Sequence, residues 1–302
     1  METDRMGNGL LIIDKPAGWT SHDVVAKLRR ILGMKRVGHT GTLDPEATGV
    51  LPVAFGKATR LADLIGEGTK VYEAVLKLGT VTDTQDMTGR IISESSDLPD
   101  AERIAAAASG FLGDQVQIPP MYSARKINGK KLYELARAGQ VVPREPRPIR
   151  IDELRITDIS LPYVSFTVTC SKGTYVRTIC HDMGQRLGCG GAMQSLRRTR
   201  AGAFGIERSC TLEQAEQAVQ AGCLETIALS MDTILADYPR RMCLPGQDAL
   251  LKNGNALKPG DLQETDGSET MVRMCTSDGA FLGLYRWDED RGRFVPYKMF
   301  VP

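Results

Sequence analysis

Residues 36–56 read RVGHTGTLDPEATGVLPVAFG, a stretch arranged around one acid, Asp44. Pro45 follows directly and biases Asp44 away from right-handed helical dihedrals. Gly38, Gly41 and Gly49 permit turns that other residues resist. Asp44 is therefore expected on a fixed, tightly folded loop, with residues 50–55 entering an apolar core behind it. A carboxylate held on such a loop, with Thr40, Thr42 and Thr48 nearby, suits nucleophilic or acid–base work. The same spacing also fits an Asx turn, in which the acid caps its own backbone.

Outward from this loop the chain alternates strands and helices. Residues 10–13 form a short apolar strand leading into DKPAGWTSHDVV. Ser21 serves as an N-cap, Val24, Val25, Leu28, Ile31 and Leu32 recur at helical spacing, and Gly33 stops that helix. Residues 58–65 read as a short helix. KVYEAVLKL at 70–78 alternates like a half-buried strand carrying Tyr72. In GTVTDTQDMTG, Asp83 and Asp86 fail the spacing of an EF-hand, which leaves a polar turn. An Ala-rich helix is expected over 98–112, a strand over 121–127 and a helix over 130–138. Three prolines within 143–148 keep that stretch extended.

Strands at 150–156 and 163–170 feed CSKGTYVRTICHDMGQRLG. Val176, Ile179, Cys180, Met183 and Leu187 share a helical face that ends at Gly188. Tyr175 and Arg177 therefore lie at a helix start, where anions are favoured. Arg177 is a candidate partner for Asp44, since a guanidinium orients a carboxylate and opposes the pKa rise of burial; gripping a phosphate is its other reading. A capped helix follows at 211–221. Beyond Asp237 short strands take over, at 269–275, 281–287 and 294–301.

A chain of 302 residues buries a sizeable core and has room for one large unit and one small one. The net charge of +1 conceals one basic segment. Residues 119–150 hold Arg125, Lys126, Lys130, Lys131, Arg137, Arg144, Arg147 and Arg150 against only Glu134 and Glu145. With Tyr122 and Tyr133 interleaved, this stretch fits an RNA clamp or an ordinary solvated face. From Arg240 onward the charges balance. The seven cysteines are scattered without a CxxC pair, which fits reduced thiols of the cytoplasm better than a disulfide framework or a zinc site. Three histidines are too few for a His-rich metal centre, and no leader or membrane span is expected.

GHTGTLDPEATGVLP at 38–52 resembles the catalytic-loop motif of the TruB family of tRNA pseudouridine synthases. DKPxGxTSxxVV at 14–25, KGTYxR at 172–177, Leu196 within GAMQSLRRTRAGAFG, and NGNALKPGDL with DGAFLGLYRW near the end extend the likeness over nearly the whole chain. The resemblance implies an α+β pseudouridine synthase fold, with a central mixed, mainly antiparallel sheet flanked by helices. It implies a catalytic unit over 1–236, with a mobile basic thumb at about 119–150, and a small all-β RNA-binding PUA barrel over 237–302. Asp44 would be the nucleophile, oriented by Arg177, while Tyr72 stacks on the flipped uracil and Tyr175 and Leu196 line the pocket. His39 would face the RNA, and Lys15 and Trp19 would lie near the cleft, unless Lys15 is merely a solvated turn residue. Lys130 and Lys131 would clamp phosphates, as would Lys35, Arg36, Arg197, Arg198 and Arg200.

The implied reaction isomerises the T-loop uridine at position 55 of tRNA after flipping it from the stack. It uses no metal, redox carrier or nucleotide cofactor. The partner is tRNA through its T arm, with no membrane and no obligate protein partner, so the expected state is a monomer. Attack at C1′ of the ribose, attack at C6 of uracil and a glycal route all remain open. Two rivals belong to other classes. An RNA-binding or RNA-folding protein would not need the acid. A nucleoside or glycoside hydrolase commonly uses two carboxylates, and the motifs supply one.

Overall fold

The computed structural model describes residues 7–123, 125–127, 129–264 and 269–300. The apolar run at 10–13 forms the middle of β1 (Gly9–Lys15), which leads through a five-residue turn into α1 (Ser21–Ile31). The cap of this helix is Thr20 and not Ser21: the Thr20 side chain accepts from the Asp23 N–H while Asp23 reaches back to the Thr20 N–H. β2 (Val37–His39) and β3 (Thr48–Phe55) follow, and β3 pairs antiparallel with both β1 and β2. β1 and β3 are apolar at nearly every position because each has a core on both faces. Leu11, Ile13, Leu51 and Val53 face the main core; Leu10, Ile12, Val50 and Ala54 face a second one.

α2 (Ala62–Ile65) precedes β4 (Lys70–Leu78), and the small hairpin of β5 (Thr80–Thr82) and β6 (Ile91–Glu94) stands off its end. α3 (Ala101–Ser109) and β7 (Gly113–Gln117) come next. The strand expected over 121–127 is mostly absent. Only β8 (Lys126–Ile127) pairs, with β9 (Lys130–Lys131), before α4 (Leu132–Arg137) begins. A left-handed turn at Gly129 (φ 82°) converts this segment into a hairpin and delays the helix.

β10 (Arg147–Ser160), β11 (Tyr163–Cys170), α5 (Val176–Leu187), β12 (Gly191–Ala201) and β13 (Phe204–Gly205) complete the large sheet. Its order is β1-β3-β12-β4-β11-β10-β7, with β2 and β13 paired at the side. The β12–β3 pairing is parallel and the others are antiparallel, so the expected mixed, mainly antiparallel sheet is present. β12 had no strand signature. Two register shifts, between Met193 and Ser195 and between Arg198 and Arg200, break its alternation, and the buried face carries an arginine. Helices α1, α3 and α5 cover one face of the sheet.

α6 (Leu212–Gln220) and α7 (Met231–Ile234) lead to β14 (Arg240–Met242), α8 (Asp248–Lys252), β15 (Met271–Cys275), β16 (Phe281–Asp288) and β17 (Arg293–Met299). These last strands make an open sheet in the order β14-β15-β16-β17. The expected closed barrel is not formed among the described residues, because β14 and β17 lie at opposite edges without pairing. Tyr285, Phe294, Val272, Met274 and Leu257 give this sheet a core of its own. Leu284 and Phe300 instead join Leu10, Ile12 and Leu61 in the second core of the large sheet. Among the described residues no helix is long and apolar enough to cross a membrane.

Candidate active site

Asp44 lies on the loop between β2 and β3, and three side chains from other elements pin that loop. Ser21, at the start of α1, accepts from the Leu43 N–H (2.9 Å) and donates to the Leu43 carbonyl (3.2 Å). Lys15, at the end of β1, donates to the Pro45 carbonyl (2.8 Å). Arg198, on β12, donates to the carbonyls of Gly41 (3.1 Å) and Val50 (2.7 Å). Gly49 is required here: its φ is +98°, and a Cβ would sit 2.2 Å from the Arg198 carbonyl oxygen.

The Asp44 carboxylate does not cap its own loop. It meets Arg177 side-on, Nε to Oδ2 at 2.9 Å and Nη2 to Oδ1 at 3.2 Å. Arg177 is in the first turn of α5, and its side chain is 5% exposed. Its remaining donors reach the carbonyls of Tyr122 (2.9 Å) and Thr84 (3.3 Å) and the Asp86 carboxylate (3.4 Å). The guanidinium is therefore saturated, and its planar fork fixes the orientation of Asp44. Of the two roles that the sequence leaves open for Arg177, the geometry is that of a carboxylate partner.

Asp86, which reads as part of a polar turn in the sequence, is the second acid of this centre. Its Oδ1 accepts from the Thr84 hydroxyl, the Thr88 N–H and the Thr88 hydroxyl. The turn that carries it contains Gln85 at φ 66°, a left-handed conformation that Thr178 of α5 secures through a 2.8 Å hydrogen bond to the Gln85 side chain. The Thr-x-Asp-x-Thr spacing was the available signal, since it makes a carboxylate with its own donors. Two carboxylates thus share one guanidinium. Burial pushes the Asp44 pKa above the ordinary carboxylate value; Arg177 opposes this, and Asp86 adds to it. The Asp44 side chain nonetheless keeps 37% exposure, so the acid is open to a substrate.

The other expected residues separate into groups. Tyr72 and Arg198 are directly opposed across β4 and β12, and Leu196 faces Ala74 beside them. Tyr72 and Leu196 are nearly buried at 8% exposure each. Burial raises the Tyr72 phenol pKa, with Arg198 pulling the other way, so the hydroxyl is neutral near pH 7. Tyr175 occupies the N-cap position of α5, and Gln117 of β7 holds both its N–H (2.8 Å) and its carbonyl (3.0 Å). His39, half-buried, packs edge-on against His22, with ring centroids 5.4 Å apart. Burial first, then His22 and Arg198, lower its pKa to about 4, which makes it a neutral imidazole.

Lys15 requires a correction. It is wholly buried and spends its three donors on the carbonyls of Pro16 (2.8 Å), Trp19 (2.6 Å) and Pro45 (2.8 Å), so it is an internal brace and not a substrate contact. Burial draws its pKa down to about 8, against the pull of Glu46 and Asp44. Arg198 likewise is 2% exposed and cannot serve a phosphate, and Arg197 pairs with Asp14 at 2.8 Å. The side chains of Lys130 and Lys131 lie outside the described residues. A groove of about 690 Å3 runs along the open face of the sheet past Glu73, Arg155, Thr167 and Arg197. Of the expected pocket residues Leu196 lines this groove, with Glu46 and Thr48 just beyond Asp44 in the chain, whereas Asp44, Tyr72 and Arg177 do not. Among the described residues no cluster of His, Cys, Asp and Glu is arranged to hold a metal ion.

Comparison with known proteins matches the chain to one family. Residues 29–176 match the N-terminal domain of the TruB family pseudouridylate synthases, and residues 177–250 match the tRNA pseudouridylate synthase B C-terminal domain. A tRNA pseudouridine synthase B of Clostridium novyi (strain NT) is 44% identical, covering 92% of this chain and 94% of that protein. One from Shigella boydii serotype 4 is 42% identical, covering 97% and 95%. Among solved structures, a Cbf5–Nop10–Gar1 complex superimposes with a TM-score of 0.72 at 25% identity, over 99% of this chain and 86% of that one. By these two domain matches and by relatives aligned over nearly its full length, the chain belongs to the TruB family of pseudouridylate synthases.

Proposed function

We propose that the chain isomerises the T-loop uridine at position 55 of tRNA to pseudouridine, with Asp44 as the nucleophile. The observation that carries this reading is the side-on Asp44–Arg177 pair on a loop braced at Gly41, Leu43 and Pro45. Such bracing suits an acid that must meet a reacting atom in one orientation. The target base is flipped from its loop and meets the Tyr72 ring and Leu196, while Tyr175 borders the pocket. Base–aromatic stacking of roughly 1–3 kcal/mol offsets the few kcal/mol of unstacking. With Asp44 adding either to C1′ or to C6, the C1′–N1 bond breaks, the uracil turns and C5 bonds to C1′; the bond to Asp44 is then released and the C5 proton passes to solvent. Before the attack Arg177 favours the ionised form of Asp44 against its burial.

The basic segment at 119–150, with Lys130 and Lys131, serves as a clamp on the T arm. Residues 1–236 then act as the catalytic unit, and residues 237–302 as a PUA-like appendage that orients tRNA. We place the enzyme in the cytoplasm, acting as a monomer without metal or cofactor.

Tritium release from tRNA transcript labelled at uracil C5 tests the reaction class, because isomerisation must expel that hydrogen. Wild type should release tritium. Asp44→Asn should release it at least about 10³-fold more slowly while still retaining tRNA on a filter. Tight binding without release by wild type would select an RNA-binding or RNA-folding role.

A further inference from the structure

Residues 16–20 form an exposed turn between β1 and α1, and it displays Trp19, one of only two tryptophans in the chain. The indole is 37% exposed. The turn beneath it is heavily secured. Its carbonyl at Trp19 and the carbonyl of Pro45 are bound by the same Lys15 nitrogen, at 2.6 and 2.8 Å. Two residues later, Ser21 grips both main-chain groups of Leu43. Trp19 is thus tied to the residues on either side of Asp44. Thr20 and Asp23 close the capping box at 2.9 and 3.1 Å, which fixes the exit of the turn and occupies the nearby carboxylate. A buried lysine is a costly brace, because its charge is taken out of water. Its effect is to hold an exposed indole in register with the reactive loop. His22, one turn on, is exposed as well and packs on His39, so the same rim carries further aromatic surface.

We propose that Trp19 is a stacking platform for an unpaired RNA base next to the one delivered to Asp44. This rests on the reading of the site as one that acts on tRNA. An exposed π-face on a rigid main chain suits a displaced base of any identity, since stacking is tolerant of sequence and loses little side-chain freedom. The platform is separate from the Tyr72 pocket: Tyr72 is nearly buried on β4, whereas Trp19 is exposed on the turn before α1.

The test uses the full chain. With Trp287→Phe, Trp19 is the sole indole, and Asp44→Asn added to it prevents turnover. Titration with unmodified tRNA transcript should quench the emission, saturating where filter-retained RNA saturates. In the otherwise unaltered chain, Trp19→Leu should weaken transcript binding roughly 5- to 150-fold, and Trp19→Phe should recover most of it. Leu keeps the main-chain carbonyl that Lys15 binds and an apolar side chain but has no π-face, so an unchanged unfolding midpoint separates a lost stack from a loosened turn. Constant emission through saturation, or wild-type affinity of Trp19→Leu, would overturn the platform. Tritium release by wild type together with either result removes only the platform. Neither binding nor release by wild type removes the functional reading and this inference with it.

Discussion

Arg177 shows how much one buried side chain decides. Its five N–H groups face two carboxylates and two carbonyls, so its charge is compensated and its plane is fixed. In the proposed reaction Asp44 must be ionised to attack, and burial holds its pKa above the usual carboxylate value against the pull of Arg177. Replacing Arg177 by Met should therefore move the acid limb of kcat/KM to higher pH and lower kcat by roughly 10²-fold or more, through loss of charge and of orientation. The pH–rate profile checks the first effect; an unmoved acid limb would show that Arg177 does not control Asp44. The stability consequence has a definite sign. A carboxyl whose folded pKa is raised favours the fold most below its unfolded value, and that contribution is lost as pH rises through the folded pKa.

At the level of elements, the reactive loop has little regular structure and is held from outside by β1, α1 and β12. Ser21→Ala leaves the buried Leu43 N–H without its partner. The expected cost is about 1–3 kcal/mol, read as a lower thermal midpoint, together with a fall in kcat that Asp44→Asn does not add to. Wild-type kcat in Ser21→Ala would mean that the remaining braces suffice. The β8–β9 hairpin and α4 carry the basic segment, and their proposed clamp gives a salt signature. Neutralising Lys130 and Lys131 together should weaken tRNA binding and reduce the slope of log K against log salt by about 1 for each phosphate no longer neutralised. An unchanged slope would remove both lysines from the interface.

The molecule as a whole is joined across its small C-terminal sheet. Phe300 and Leu284 pack in the core behind β1 and β3, Lys298 pairs with Asp63 at 2.9 Å, and Arg60 donates to the Met299 carbonyl. Phe300→Ala should therefore destabilise the whole chain by about 3–5 kcal/mol, seen as one lowered transition in thermal unfolding. Two transitions, with only the minor one displaced, would show that the C-terminal sheet unfolds independently. The shared core also means that the texture change near residue 237 does not mark a break in packing.

Much of this was legible along the chain, because it depends on short-range chemistry. The strand at Lys70–Leu78 follows its alternation, α5 follows its helical face and closing glycine, and the Asp44 loop follows from Pro45 and its glycines. The partnership of Asp44 with Arg177 was a sequence-level candidate because both are motif residues. What required the folded molecule were the residues whose meaning depends on distant partners. Lys15 and Arg198 look like solvent cations in a one-dimensional reading, yet both are buried against carbonyls that arrive from other elements. Asp86 looks like a turn residue until α5 places a guanidinium beside it. β12 has no pattern of its own, since bulges break its period and its place between β3 and β4 comes from pairing. Local propensity identifies a residue's conformation, but the burial that turns a charge into a brace is set by contacts between residues far apart in sequence.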